Sequence, residues 1–289
     1  MQDFEFYRPG NLLELKEYLS LPGARVLAGG TDIIPKMRQG KFTAPILVDT
    51  SGVKSLDFIE DQGERIVLGA MTTHQQLAES RLIQETNPAL REAAASIGCI
   101  QTRCRGTLGG NIANGSPAGD TLPPLLIYDA EVLLQSLEGE RSLSLEKMIL
   151  GPGQTALEPG ELIHSISYQP LKGKWGSCFL KVGKRSGMAI SVVNAAGAVV
   201  LDSSGQIADV RLALGAVGPV VIRCLETEKS LLGKRPDQGI FQQASEMVQH
   251  EINPIQDVRS TTSYRAHAGG VIAARVLGIA AERAARRKD

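Results

Sequence analysis

The sequence predicts an α+β fold in two domains, residues 1–172 and 173–289, and three observations carry that prediction. Through the first part of the chain, helically spaced apolar residues alternate with short strand-like runs, a mixed texture rather than a segregated one. Pro170-Leu171-Lys172-Gly173-Lys174 then forms a short basic crossing with proline and glycine, the composition of a boundary. Beyond it, apolar runs at residues 190–201 and 207–217 flank Asp202-Ser203-Ser204-Gly205, the signal of an antiparallel hairpin.

Each element has its own local reason. Residues 11–20 carry leucines at 12, 13, 15 and 19 with Glu14, Lys16 and Glu17 between them, an amphipathic helix capped by Asn11. The apolar run 24–28 reads as a strand, Gly29-Gly30 as a turn, and Ile33, Ile34 and Met37 as one face of a helix with Thr31 or Asp32 as its N-cap. Residues 46–49 form a buried-type strand, and 57–60 and 65–70 flank a turn at Asp61-Gln62-Gly63. Helices are expected at 73–80, 88–97 and 122–129. Strands are expected at 131–137, 140–145 and 162–168, with residues 107–120 as a glycine-rich loop. In the second domain a strand at 177–182 precedes the hairpin, and helices at 224–232, 236–250 and 261–287 follow. The last helix ends in Arg283, Arg286, Arg287 and Lys288, read as a solvated helix end whose cations offset the dipole.

Composition narrows the function. Lysine plus arginine equal aspartate plus glutamate at 31 each, so there is no basic footprint for nucleic acid or an anionic membrane surface. No apolar run reaches the length of a membrane span, and Met1-Gln2-Asp3-Phe4-Glu5 lacks a signal segment, which makes a cytoplasmic protein the expectation. Cys99 and Cys104 have the first spacing of a plant-type iron–sulfur site, but Thr107 stands where the third cysteine belongs; with Cys178 and Cys224 they read as free thiols. His74, His164, His250 and His267 form no short metal pair, and no metal is assigned.

Two glycine pairs carry the chemistry. In Thr107-Leu108-Gly109-Gly110-Asn111-Ile112-Ala113-Asn114-Gly115-Ser116-Pro117-Ala118-Gly119-Asp120 the backbone is free to lie close to a ligand. Gly109 and Gly110 can reach positive φ and leave amides bare for anionic oxygens, which suits a diphosphate. Such a stretch is also what a plain surface loop looks like. Leu27-Ala28-Gly29-Gly30-Thr31-Asp32 changes the balance, because it repeats the pattern as strand, turn and helix start, another site for an anion. Neither is a three-glycine dinucleotide fingerprint nor a phosphate loop ending in Gly-Lys-Ser/Thr.

Together, Ala28-Gly29-Gly30-Thr31-Asp32, Arg105-Gly106-Thr107-Leu108-Gly109-Gly110-Asn111-Ile112-Ala113 and Ser116-Pro117-Ala118-Gly119-Asp120 resemble the FAD-binding medium subunit of the molybdenum hydroxylases, the xanthine, nicotinate and carbon monoxide dehydrogenases. The resemblance spans nearly the whole chain. Leu108 stands where isoleucine is usual and Cys104 where asparagine is frequent, and Thr31-Asp32 leans toward the xanthine or nicotinate branch.

The resemblance implies a two-subdomain FAD-binding domain of the PCMH type followed by a smaller C-terminal domain with an antiparallel sheet and helices. It implies FAD on this chain, with molybdopterin and [2Fe-2S] clusters only on partners, an iron–sulfur small subunit and a molybdenum-cofactor large subunit. Electrons would pass from the clusters through FAD to NAD or another acceptor. The cradle is then Leu27, Ala28, Gly29, Gly30, Thr31 and Asp32 with Thr107, Leu108, Gly109, Gly110 and Asn111. Ile97, Leu162 and Ile163 would pack the cofactor, and Asp120 would accept a hydrogen bond from it. Lys181, which strand alternation puts on the face of Phe179 and Gly183, would sit by the isoalloxazine, with Arg185 a weaker candidate. Two other functions remain open from sequence: a self-sufficient flavin oxidase or reductase, and a cofactor-free scaffold.

Overall fold

The computed structural model describes residues 3–185 and 187–287 and arranges them in three lobes, each built on its own sheet. The first lobe is β1 (Glu5–Tyr7), α1 (Leu12–Leu19), β2 (Ala24–Leu27), α2 (Ile33–Arg38) and β3 (Ile46–Asp49). Its strands run parallel in the order β1-β3-β2, with Val48 opposite both Tyr7 and Val26. Parallel neighbours need a crossover, and α1 and α2 supply it. Asn11 caps α1 as expected, its side chain accepting from the Glu14 amide at 3.0 Å.

The second lobe contains β4 (Ile59–Asp61), β5 (Ile66–Gly69), α3 (His74–Glu79), α4 (Arg81–Thr86), α5 (Pro88–Ser96), α6 (Ile100–Arg103), α7 (Leu108–Ala113) and α8 (Leu122–Leu126). It continues through β6 (Glu131–Gln135), β7 (Glu140–Ser144), α9 (Leu145–Met148), β8 (Ile149–Gly151), β9 (Gln154–Thr155) and β10 (Leu162–Tyr168). The sheet is antiparallel in the order β4-β5-β10-β6-β7, so its last strand in sequence is its middle one in space. Ile66, Leu68, Val132, Leu134 and Ile166 bury one face against Leu77, Leu90, Leu108 and Leu125 of the helices.

The third lobe is β11 (Lys174–Val182), β12 (Val193–Leu201), β13 (Ile207–Gly215) and β14 (Ile222–Arg223), then α10 (Leu225–Leu231), α11 (Gln238–Glu251) and α12 (Thr262–Arg286). Its antiparallel sheet is buried on both sides. Trp175, Phe179, Ala196, Ala198 and Ala213 pack into the second lobe's core, whereas Cys178, Ala195, Val199, Leu212 and Leu214 pack against Val276, Leu277 and Ala280 of α12. The period of two therefore places Lys181 on the face toward the second lobe.

Several expectations shift. The helix expected at 122–129 stops at Leu126, because the chain turns at Asp129 with φ of 48°. The strand expected from residue 190 starts at Val193, and the one expected from 177 starts at Lys174. The basic end of α12 is not simply solvated. Arg283 Nη2 lies 2.6 Å from Glu92 Oε1, and the Arg287 guanidinium sits 3.8 Å from the centre of the Trp175 ring. Arg286 is exposed, and Lys288 lies outside the described residues. Among the described residues no helix is long and apolar enough to cross a membrane.

Candidate functional site

The two glycine pairs meet. A Cβ built on Gly29 would fall 1.8 Å from the Arg105 carbonyl oxygen, so only glycine lets the first turn pass this close to the segment leading into α7. Between the first and second lobes this contact floors a cleft of about 500 Å3. One wall is Ala28, Gly29, Gly30, Thr31, Asp32, Ile33 and Lys36; the other is Thr107, Gly109, Gly110, Asn111, Ala113 and Asn114. Residues 157–163, including Leu162 and Ile163, close one side.

The two turns differ in what they offer an anion. Among the described residues the amides of Gly29, Gly30, Thr31 and Asp32 donate to no protein acceptor, and Gly30 has φ of 75°. Successive free amides around a left-handed residue make an anion-binding concavity. The second turn is spent on the protein. Residues 107–120 were expected as a loop with Gly109 and Gly110 at positive φ, but 108–113 form α7 and neither glycine is left-handed. Leu108 N donates to the Thr72 carbonyl, Gly109 N to the Ala70 carbonyl and Gly110 N to Thr107 Oγ1, at 2.9, 2.9 and 3.1 Å. These glycines serve close approach instead. A Cβ on Gly109 would meet the Ala70 carbonyl at 2.8 Å, and Gly110 keeps the wall bare opposite Ala28.

The expected cap of α2 is also absent. Asp32 occupies the N-cap position without a side-chain bond to the helix. It accepts instead from Asn114 Nδ2 across the cleft, at 3.3 Å.

A second cluster lies beyond the cleft, where the third lobe meets the second. Lys181 Nζ donates to Asp120 Oδ2 at 2.7 Å, to the Ser96 carbonyl at 2.8 Å and to the Ala189 carbonyl at 3.4 Å. Asp120 Oδ1 accepts from Ser191 Oγ at 2.6 Å and from Asn194 Nδ2 at 2.8 Å. The carboxylate is therefore buried but fully engaged. Behind it, the buried Arg265 guanidinium donates to the Val192 and Ala216 carbonyls at 2.9 and 2.8 Å and fixes the backbone that carries Ser191 and Asn194. Thr121 Oγ1 donates to Asn111 Oδ1 at 2.7 Å, which connects this cluster to the cleft wall.

The remaining expected residues sit around these two centres. Ile97 ends α5, next to the Ser96 carbonyl that holds Lys181. Leu27 ends β2 behind Gly30, and Leu108 is buried in the core of the second lobe, so neither lines the cleft. Arg185 is exposed and donates to the Met188 carbonyl.

Five contributors were not legible in the sequence as site residues. Lys36, Asn114 and His74 line the cleft, and Ser191 and Asn194 hold Asp120. Only Asn114 had a signal, its place in the glycine stretch. Burial pushes His74 down to about 4, and its Nδ1 has no partner.

A diphosphate fits this cleft: free amides and an ammonium lie on one wall and a bare backbone on the other, with apolar Leu162 and Ile163 alongside for an attached ring. Comparison with known proteins agrees. The model of the FAD binding domain in molybdopterin dehydrogenase matches residues 2–168, and that of the CO dehydrogenase flavoprotein C-terminal domain matches 179–280. The xanthine dehydrogenase FAD-binding subunit of Escherichia coli is 33% identical over 273 residues, covering 92% of each chain. The carbon monoxide dehydrogenase medium chain of Hydrogenophaga pseudoflava is 31% identical over 286 residues, covering 98% of each. The solved carbon monoxide dehydrogenase of that organism, in a form lacking the Mo-pyranopterin moiety, superposes with a TM-score of 0.93 at 29% identity and 98% coverage of both chains. Two glycine turns packed into one cleft, followed by a flavoprotein C-terminal domain, thus have one family in common, and the chain belongs to the FAD-binding medium subunits of the molybdenum hydroxylases.

Proposed function

We propose that this chain holds one non-covalent FAD in the cleft and serves as the electron exit of a molybdenum hydroxylase complex. It would receive electrons from iron–sulfur clusters on a small subunit, reduced by a molybdenum-cofactor large subunit, and pass them to NAD or another acceptor. The observation that carries this reading is the run of four unpaired amides from Gly29 to Asp32, facing a wall kept bare by Gly110. FAD when bound supplies the capacity to exchange two electrons together or singly.

The chain's own residues would do the rest. Gly29, Gly30, Thr31 and Asp32 would hold the diphosphate through backbone amides, and Thr107, Gly109, Gly110 and Asn111 would shape the facing wall. Ala28, Leu162 and Ile163 would pack the cofactor, with Leu27 and Leu108 supporting from behind. Asp120 and Lys181 would form the polar end of the site beside Ile97, where Lys181 would stabilise negative charge growing on the ring. The division of labour proposed for the chain is residues 1–172 for the cofactor and 173–289 for closing the site over Lys181. Neither glycine turn contains a histidine or a cysteine, so attachment is taken as non-covalent.

The test is a visible spectrum of the purified chain before and after incubation with FAD, followed by co-purification from the native host. A yellow protein that releases FAD on denaturation, found with two larger-complex partners and unable alone to hydroxylate a substrate, is expected. A chain that stays colourless with FAD, or one that turns over a purine or nicotinate alone and without molybdenum, would end the proposal.

A further inference from the structure

Lys36 is a cation in the cleft that no carboxylate neutralises among the described residues. It stands one turn after Asp32 on α2, its amide donating to the Asp32 carbonyl at 3.1 Å. Cα–Cβ bonds tilt toward the start of a helix, which directs Lys36 toward the end of α2 that follows the Gly29–Asp32 turn. The residue is half-buried and lines the same cleft as the four unpaired amides.

Among the described residues the one acceptor of its ammonium is Asn114 Oδ1, a neutral group on the opposite wall. Asp32 accepts from Asn114 rather than from Lys36. The other charges of the cleft are committed elsewhere. Arg141 holds Glu161 at 2.6 Å and lies 3.4 Å from Glu158, and Arg25 donates to the Ala24 carbonyl. An ammonium carries three donors, and only one of these is engaged.

We infer that Lys36 is the diphosphate's counter-ion: its spare donors pair with the phosphate oxygens while Asn114 keeps the ammonium extended across the cleft. The inference rests on the FAD reading of this cleft. Backbone amides supply direction but no net charge, whereas a diphosphate diester carries two negative charges that the amides alone leave uncompensated. A lysine suits that need because it acts as a point charge without a fixed fork geometry. Its anchorage on Asn114 lowers the entropy cost of recruiting it. Lys36 thereby selects a dinucleotide over an uncharged ring.

The test is the Kd of FAD for the full chain, read from quenching of flavin fluorescence at low salt and at about 0.5 M salt, where charge pairing is screened. Lys36→Met is expected to weaken FAD at least tenfold at low salt, with the gap closing at high salt and with Lys36→Arg staying within threefold of the wild type. ADP, which carries the diphosphate without the ring, should lose affinity to the same degree in calorimetry. If Lys36→Met binds FAD as the wild type does, or if the loss is equal at both salts with no rescue by arginine, Lys36 is a structural tie and the inference fails. Should Lys36→Met not fold, Lys36→Gln takes its place. A wild-type chain that binds no FAD would instead sink the function proposed above.

Discussion

Lys181 Nζ and Asp120 Oδ2 lie 2.7 Å apart with their side chains 14% and 8% exposed, so a buried ion pair joins the third lobe to the second. Breaking one member of such a pair leaves a charge without its partner, which typically costs about 3–5 kcal/mol. Lys181→Met is expected to lower unfolding stability by that amount in urea titration. It should also lower the midpoint potential of bound FAD, because it removes a positive charge and leaves the Asp120 carboxylate. A double variant, Lys181→Met with Asp120→Leu, should recover most of the stability. An unchanged potential in the single variant would place Lys181 away from the ring.

The two glycine pairs should fail in different ways. In Gly29→Ala the new methyl meets the Arg105 carbonyl oxygen, which is backbone and cannot move aside, so at least about 3 kcal/mol of stability should be lost. In Gly110→Val the methine meets Thr107 Oγ1, a side chain, at 2.9 Å, and the cost to folding should be about 1 kcal/mol, that of a disturbed cap. Its effect on FAD should be far larger, because the branched chain enters the cleft. Thermal melts and bound-flavin absorbance together separate the two, with Arg286→Ala, 82% exposed, as the control expected to change neither.

His74 gives the protein an acid sensitivity with a defined window. Burial lowers it from 6.5 to about 4, so between those values the unfolded chain binds a proton that the folded one refuses. Stability from this group is complete above pH 6.5 and is lost as pH falls toward 4, by about 3 kcal/mol in all. His74→Gln should flatten that part of the profile in denaturant titrations from pH 7 to pH 4. Identical profiles for variant and wild type would show that His74 titrates normally.

Much of this architecture is local and therefore legible. The strand Leu162–Tyr168 has the expected bounds, and Asn11 caps α1, because patterning and short side chains act within a few residues. The face of β11 that carries Lys181 follows from alternation alone. What escaped depends on distance in sequence. Gly109-Gly110 reads as loop because glycine is a poor helix former, yet the Thr107 cap and the Ala70 carbonyl outweigh propensity and close α7. The partners of Asp120, Ser191 and Asn194, come from another lobe, and nothing near Asp120 announces them. Lys36 belongs to no motif, and its place in the cleft is defined by Asn114 on the opposite wall, 78 residues away in sequence.

The central position of β10 fixes when the site can come into being. While the chain is being synthesised, β4-β5 and β6-β7 emerge as two half-sheets with open edges facing one another, and Leu162–Tyr168 is the strip that joins them. The same strand brings Leu162 and Ile163 to the cleft, so one side of the cleft is missing from a chain that has not passed this point. That side of the cleft is accordingly completed by closure of the second sheet, after the residues of both glycine turns have been made. A chain that stops before Leu162 would leave two strand edges unpaired, the template on which chains pair with one another.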